Sequence, residues 1–107
     1  MQWTIIQFMK PIILFLTCAN EKEAARIEQT LLEKKLVCCV KKSNTTSTFL
    51  WKGKIESSGE VLLIMDSLQE KFKEIDKEVK RLHSYETYVL VATPVTHTTE
   101  KVKNWLR

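Results

Sequence analysis

Residues 36–66 have the sequence LVCCVKKSNTTSTFLWKGKIESSGEVLLIMD, in which two runs rich in β-branched and aromatic residues flank Gly53. This composition is typical of β-strands, and a glycine between two such runs marks the turn of a hairpin. The stretch therefore predicts a long β-hairpin that turns at residues 51–54. The SSG at 57–59 predicts a bulge in its second strand.

Upstream of this hairpin, the continuous apolar run PIILFLTC from Pro11 predicts a first strand. Asn20 and Glu23 have the spacing of a capping box, and Ala24, Ile27 and Leu31 follow at helical spacing. The sequence predicts a first helix over residues 21–35.

Downstream, Ser67 and Glu70 have the spacing of a second capping box. An apolar stripe at helical spacing then predicts a second helix, and its members are Leu68, Phe72, Ile75, Val79 and Leu82. TYVLVATPV predicts a fourth strand, and THTTEKVKNWLR predicts a short closing helix that is capped by Thr98 or Thr99 and packs through Val102, Trp105 and Leu106.

The order βαββαβ with a terminal helix predicts an α+β sandwich of the ferredoxin-like type, with a long hairpin between the second and third strands. A chain of 107 residues builds one hydrophobic core. We assign residues 11–107 to a single domain and residues 1–10 to a short N-terminal extension.

Charge and composition bear on partners and compartment. The net charge is +4, but lysines alternate with glutamates along the predicted helices, which is typical of a solvated surface, so no nucleic-acid partner is expected. The third strand, EVLLIMD, lacks the aromatic residues of an RNA-binding sheet.

The apolar N-terminus is interrupted by Gln7, Lys10 and Pro11, so no membrane span is expected. Three cysteines without C-x-x-C spacing favour a reducing, cytoplasmic location.

The strands are apolar at both parities, as IILFL, VLLIM and YVLVA show. Side chains alternate between the faces of a sheet, and two helices cover only one face. The other face needs a second copy of the chain, which predicts a tight homo-oligomer with the hairpin as an arm around its neighbour. By the same alternation Cys38 and Cys39 point to opposite faces, so they do not chelate one ion together.

Several segments resemble, in order and spacing, the CutA family of divalent-cation tolerance proteins: VCCVKK, FLWKGKI, EVLLIM, LHSYE and NWLR. The resemblance covers residues 11–107. It implies a ferredoxin-like subunit, a compact homotrimer akin to the PII signalling proteins with its sheets facing inward, and a link to copper and other divalent metal ions. No enzymatic activity is established for the family, so a non-enzymatic protein without an organic cofactor is expected.

The resemblance also implies site residues. The family cysteine falls on Cys39 and its histidine on His83, which together would suit copper or zinc. Trp51, Tyr85 and Glu86 are expected to line the cleft between subunits. The alternative for Cys39 is a metal-free thiol buried at an interface, and the alternative for His83 is a cap on the end of a helix.

Five positions depart from the family pattern: Lys41, Asp66, Ser84, Tyr88 and Val89. These departures concern the cleft more than the fold. Cys18, at the end of the first strand, is interpreted as a plain strand-end residue.

The sequence thus favours a cytoplasmic, non-enzymatic homotrimer that acts in metal tolerance and has an unidentified protein partner. The alternative is a small-molecule sensor of the PII or ACT kind that binds an effector between subunits.

Overall fold

The computed structural model describes residues 10–107, so the first nine residues of the predicted N-terminal extension lie outside the described part. It has four strands and three helices: β1 Pro11–Cys18, α1 Glu21–Glu33, β2 Cys39–Trp51, β3 Lys54–Leu68, α2 Phe72–Leu82, β4 Leu90–Pro94 and α3 Glu100–Leu106. A 3-10 turn, Gln69–Lys71, precedes α2.

The four strands form one antiparallel sheet in the order β2-β3-β1-β4. This order, with the two crossover helices on one face, confirms the predicted α+β, ferredoxin-like fold. The core lies between the sheet and the helices α1 and α2. Its completely buried members include Leu14, Leu16, Ile27, Leu31, Leu63, Met65, Ile75 and Val79.

The long hairpin is regular. Strands β2 and β3 pair residue for residue from Cys39 with Asp66 to Trp51 with Lys54. The predicted bulge at residues 57–59 is therefore wrong, because Gly59 pairs directly with Thr46. Past the last pair between β1 and β3, the segment 45–60 continues as a two-stranded arm, and the longest dimension of the molecule is 53 Å.

The first helix begins as predicted and ends two residues earlier. The Oδ1 atom of Asn20 accepts the backbone N–H of Glu23 at 2.9 Å, which satisfies one of the free donors at the helix start. At the other end Lys35 adopts a left-handed conformation with φ 58°, and this stops the helix after Glu33.

The prediction of a second capping box at Ser67 and Glu70 is wrong. Ser67 belongs to β3 and is buried, and its hydroxyl donates to the carbonyl oxygen of Leu36 at 2.5 Å. The hydroxyl is therefore used to tie the loop after α1 to the sheet. The chain enters α2 through the 3-10 turn, and the N-cap residue Lys71 makes no capping hydrogen bond, because its Nζ donates to the carbonyl oxygen of Lys35 at 2.9 Å.

Alternation along the strands gives the sheet a helix side and an open face. On β1 the residues Ile12, Leu14, Leu16 and Cys18 are buried on the helix side, whereas their neighbours are only half-buried. The open face carries Ile13, Phe15, Leu62, Ile64 and Val91. The structure thus confirms that the strands are apolar on both faces.

The closing helix is attached through one residue. Leu106 is buried and Val102 is half-buried, as expected, but Trp105 remains 55% exposed. The N-cap is Thr99, and its side chain makes no capping hydrogen bond. The sequence thus predicted the position of α3, but only part of its packing.

The arm turns through Gly53, which has φ +78° and open space around it. Replacing Gly53 by alanine should lower the free energy of unfolding by about 1 kcal/mol, because a side chain is strained at positive φ. Gly59→Ala is the matched control, since Gly59 also has open space but no positive φ. It should be neutral or slightly stabilising. Urea unfolding at one fixed subunit concentration measures both, and equal destabilisation would contradict this account of the turn.

Candidate metal centre

Three potential metal ligands meet at the end of β1. Cys18 is the last residue of that strand, Glu23 lies in the first turn of α1, and His83 follows the last residue of α2. Their ligand atoms all lie within 4.8 Å of one another, and all three residues are buried. The helix α2 fixes His83 in place, because the His83 backbone N–H donates to the Val79 carbonyl oxygen at 2.8 Å.

Both ring nitrogens of His83 make hydrogen bonds. Nε2 lies 2.8 Å from the carbonyl oxygen of Thr17, which can only accept, so Nε2 carries the hydrogen. Nδ1 accepts the backbone N–H of Tyr85 at 3.0 Å and lies 3.6 Å from Oε2 of Glu23. The imidazole is therefore held in one tautomer, and its only lone pair accepts the Tyr85 N–H close to Glu23.

Glu23 connects the start of α1 with the loop after α2. Its Oε2 accepts the N–H of Ala19 at 2.8 Å, and its Oε1 accepts the N–H of Ser84 at 2.7 Å. Burial alone would raise the pKa of Glu23, but the hydrogen bonds from Ser84 and Ala19 outweigh burial and lower this pKa below its ordinary value. Glu23 is therefore a buried carboxylate that is stable in its charged form.

Cys18 is the third donor and is completely buried. Burial, together with the charges of Glu23 and Glu60, raises the pKa of the Cys18 thiol to about 12. The sulfur is thus protonated at neutral pH, and it becomes a thiolate ligand only by giving its proton up to solvent when a cation arrives.

Two tyrosines surround the cluster. The Tyr85 hydroxyl donates to Oε2 of Glu60 at 2.9 Å, and burial followed by this hydrogen bond raises the pKa of Tyr85 to about 12. The Tyr88 hydroxyl donates to Oδ1 of Asp76 at 2.5 Å, and its ring stacks on His83 at a centroid distance of 5.4 Å. These contacts fix the orientation of the imidazole from two sides.

The donor set suits a soft or borderline cation. A thiolate, an imidazole and a carboxylate are the ligands of zinc, and thiolate with imidazole also suits copper. The hydrogen bond from Nε2 to a backbone carbonyl is the support that metal-ligating histidines usually have. Cys18, Glu23 and His83 therefore fit a metal ion chemically.

The structure does not bring Cys39 and His83 together within one chain. Cys39 pairs with Asp66, which pairs with Ile13 on β1, whereas His83 contacts Thr17, four residues farther along that strand. Four strand residues span about 13 Å. A site that joins Cys39 with His83 would need a second subunit, and it stays a prediction.

Two of the departures from the family pattern compensate each other. Nζ of Lys41 lies 3.4 Å from Oδ2 of Asp66 and 3.6 Å from Sγ of Cys39, all on the open face of the sheet. The two positions are 25 residues apart in the sequence, yet their side chains form one ion pair. Cys38 lies on the helix side, where it lines a cavity with Leu106.

The remaining predicted site residues lie near the surface. Trp51 is 47% exposed at the tip of the arm, and Glu86 is exposed in the loop before β4. Tyr85, expected in the same cleft, is half-buried and tied to Glu60. Whether these three residues line a cleft between subunits stays a prediction.

Sequence reasoning missed two of the three clustered donors. Glu23 was assigned only to the helix cap, and Cys18 was interpreted as a strand-end residue. A detectable signal did exist, because a strand that ends in cysteine is followed at once by a capped helix start. In that arrangement the glutamate of the first helical turn lies close to the end of the strand, and the Glu23 carboxylate accepts the backbone N–H of Ala19.

Comparison with known proteins gives a consistent result. The model of the family "CutA1 divalent ion tolerance protein" matches residues 12–107. The divalent-cation tolerance protein CutA of Archaeoglobus fulgidus is 39% identical over 87% of this chain and 91% of its own length. That of Thermotoga maritima is 35% identical over 90% of this chain and 95% of its own length.

A solved structure agrees in fold. The structure described as the periplasmic divalent cation tolerance protein CutA from Archaeoglobus fulgidus superposes with a TM-score of 0.88 at 38% identity, covering 90% of this chain and 94% of that one. Between residues 10 and 107, none of the helices has the length and apolar character needed to cross a bilayer. The cytoplasmic location stays a prediction, since that neighbour is described as periplasmic.

Glu23→Gln should lower the free energy of unfolding at pH 7 by about 2 kcal/mol, because the amide oxygen can accept only one of the two N–H groups and the amide nitrogen, a donor, faces the other. The folded pKa of Glu23 lies below the ordinary value of 4.5, so its charge stabilises the fold above that value. This stabilisation is lost as the pH falls through the folded pKa. Urea unfolding between about pH 5 and pH 3 should therefore show a flatter pH dependence for the variant.

The control is Glu74→Gln, which changes an exposed glutamate on α2. Its effect should stay within about 0.5 kcal/mol. If the two variants showed the same pH profile, the Glu23 carboxylate would not stabilise the fold as its hydrogen bonds indicate.

Proposed function

This chain belongs to the CutA1 divalent ion tolerance protein family, and we propose that it binds copper, zinc or a similar divalent cation at the cluster of Cys18, Glu23 and His83. It acts as a homotrimer in metal tolerance, and it acts by binding rather than by catalysis. The relatives and the solved structure are named as tolerance proteins and not as enzymes.

One observation carries the metal proposal: three different donors converge within 4.8 Å in the protein interior. A cluster on the surface would be weak support, because exposed acidic groups meet often without a metal. Here the imidazole is fixed by Thr17, and the carboxylate is fixed by Ala19. A ligand set that is held in place before binding loses little conformational entropy when the ion arrives.

The cluster and Cys39 are different sites, so they make different predictions. Cys39 lies on the open face beside Lys41. A cation at Cys39 would meet the opposite charges of Lys41 and Asp66, which offset each other, whereas a cation at Cys18 meets the carboxylate of Glu23. Electrostatics therefore favour the cluster.

The open face supports the homotrimer proposal. It carries Ile13, Phe15, Leu62 and Ile64, which no helix of residues 10–107 covers, and Val91 on the edge strand is 51% exposed. A contiguous apolar surface of this kind is expected to be covered by another protein surface. A second copy of the same face is the simplest cover, because the two surfaces are apolar alike.

The arm adds a second contact surface. Phe49, Leu50, Trp51 and Ile55 are all exposed near its tip, and Ile55 is 79% exposed. A two-stranded ribbon is marginally stable on its own. In the proposed trimer, the arm reaches a neighbouring subunit, which shelters these side chains.

Cys18→Ala, Glu23→Gln and His83→Gln should each weaken zinc and copper(II) binding by more than about 100-fold, because each removes a ligand and the loss of outer-shell partners alone costs 10–100-fold. Isothermal titration of the reduced protein measures this. Cys39→Ala is the matched control and should leave the affinity unchanged. Circular dichroism confirms that each variant is folded.

The variants Cys18→Ala and Cys39→Ala decide between the two sites. If Cys39→Ala weakened binding and Cys18→Ala did not, the site would be the one implied by the family resemblance. If neither zinc nor copper(II) bound the wild-type protein, the proposal that this chain binds metal would be wrong.

Light scattering of the wild-type protein at micromolar concentration should give three times the chain mass of 12.5 kDa. Phe15→Glu should shift the mass toward one chain, because it places a charge at the centre of the open face between Ile64 and Val91. Leu32→Glu changes an exposed leucine on α1 and should leave the mass unchanged. A monodisperse wild-type monomer would remove the trimer proposal.

A further inference from the structure

The loop after α2 is held by the same atoms that would bind a metal. Ser84 donates its backbone N–H to Oε1 of Glu23 at 2.7 Å, and Tyr85 donates its backbone N–H to Nδ1 of His83 at 3.0 Å. Both acceptors belong to the cluster. The segment Ser84–Tyr85 is therefore fastened to the rest of the domain by two candidate metal ligands.

The competition is strict at His83. An imidazole nitrogen without hydrogen has a single lone pair, so it cannot accept an N–H and bind a cation at the same time. The other nitrogen is not free either, because Nε2 carries the hydrogen that bonds to Thr17. His83 can become a ligand through Nδ1 only if Tyr85 gives up its hydrogen bond.

The competition is partial at Glu23. A carboxylate oxygen has two lone pairs, so Oε2 can keep the N–H of Ala19 and still face the cluster. The bond from Ser84 nevertheless withdraws charge from the same carboxylate. Losing the bond to Ser84 would make Glu23 a stronger ligand.

We infer that the site is a switch, in which the Nδ1 lone pair of His83 either accepts the Tyr85 N–H or binds a metal ion. Metal binding then releases the segment Ser84–Tyr85, whose other bond, from Ser84 to Glu23, weakens that ligand while it lasts. This inference rests on the proposed metal binding at Cys18, Glu23 and His83. It adds a conformational output to the site, because the segment lies between α2 and the edge strand β4.

Release of the segment Ser84–Tyr85 would be transmitted to the base of the arm. The Tyr85 side chain donates to Glu60, the last residue of the arm segment 45–60 and the neighbour of the last pair between β3 and β1. A backbone shift at Tyr85 therefore pulls on the base of the arm. The arm is one of the two surfaces that the proposed trimer uses.

Hydrogen exchange of the wild-type protein tests the switch. Without metal, the amides of Ser84 and Tyr85 should be protected, and saturating zinc should make both exchange about tenfold faster or more. The amide of His83 is the internal control, because it bonds to Val79 within the helix and should keep its protection. Calorimetry on the same sample establishes whether zinc is bound.

The two measurements separate the two proposals. If zinc did not bind, the proposed function would fail. If zinc bound while the amides of Ser84 and Tyr85 kept their protection, the switch alone would be overturned.

A pair of variants gives an independent test. Ser84→Pro removes the N–H that bonds to Glu23, and the preceding residue already has the extended backbone that proline requires, with ψ 138° at His83. Zinc affinity should rise about tenfold, since one hydrogen bond to a charged group no longer competes. Ser84→Ala keeps the N–H and removes only the hydroxyl, which also bonds to Glu23, so its zinc affinity should rise less than that of Ser84→Pro. Unchanged affinity in a folded Ser84→Pro protein would contradict the switch.

Discussion

The structure depends on one constraint, which is that a four-stranded sheet is apolar on both faces while its helices cover only one. On the helix side, Leu14, Leu16 and Met65 are completely buried. On the open face, Phe15 and Ile64 pair across neighbouring strands, and no helix in the described part of the chain lies above them. Burial of apolar area is the main driving force for folding and association, so the fold of one chain leaves part of that driving force unused. The assembly that we propose uses it.

Against this apolar background, the polar cluster at the end of β1 is unusual. Burying a carboxylate and an imidazole is costly unless each polar atom has a partner. Here Ala19, Ser84, Tyr85 and Thr17 provide those partners from three different parts of the chain. The cluster therefore joins β1, α1 and the loop after α2 at one point, and it does so with atoms that are also potential metal ligands.

The sequence predicted what depends on local patterns and missed what depends on distant contacts. Strand and helix periodicity, together with the Asn20 cap, gave the element order and the fold, because these signals act over a few residues. The predicted Ser67–Glu70 capping box was wrong because the Ser67 hydroxyl donates instead to the carbonyl oxygen of Leu36, 31 positions away. His83 was predicted as a ligand, but its position beside Cys18 and Glu23 was missed because it reaches β1 across a long separation, with 66 positions between His83 and its partner Thr17. No periodicity in the sequence records such a pairing.

The departures from the family pattern show why positions transfer between relatives more safely than roles. Lys41 and Asp66 both differ from the pattern, yet together they form an ion pair that replaces one arrangement of charge by another. Ser84 stands where the pattern has proline, and only a residue with an N–H can donate to Glu23. The potential ligand Glu23 is unaffected by this change, whereas the loop after α2 gains a hydrogen bond, from Ser84 to Glu23, that proline could not make. In the switch that we propose, therefore, the metal affinity of the cluster depends on the loop that competes for the His83 lone pair as well as on the ligands themselves.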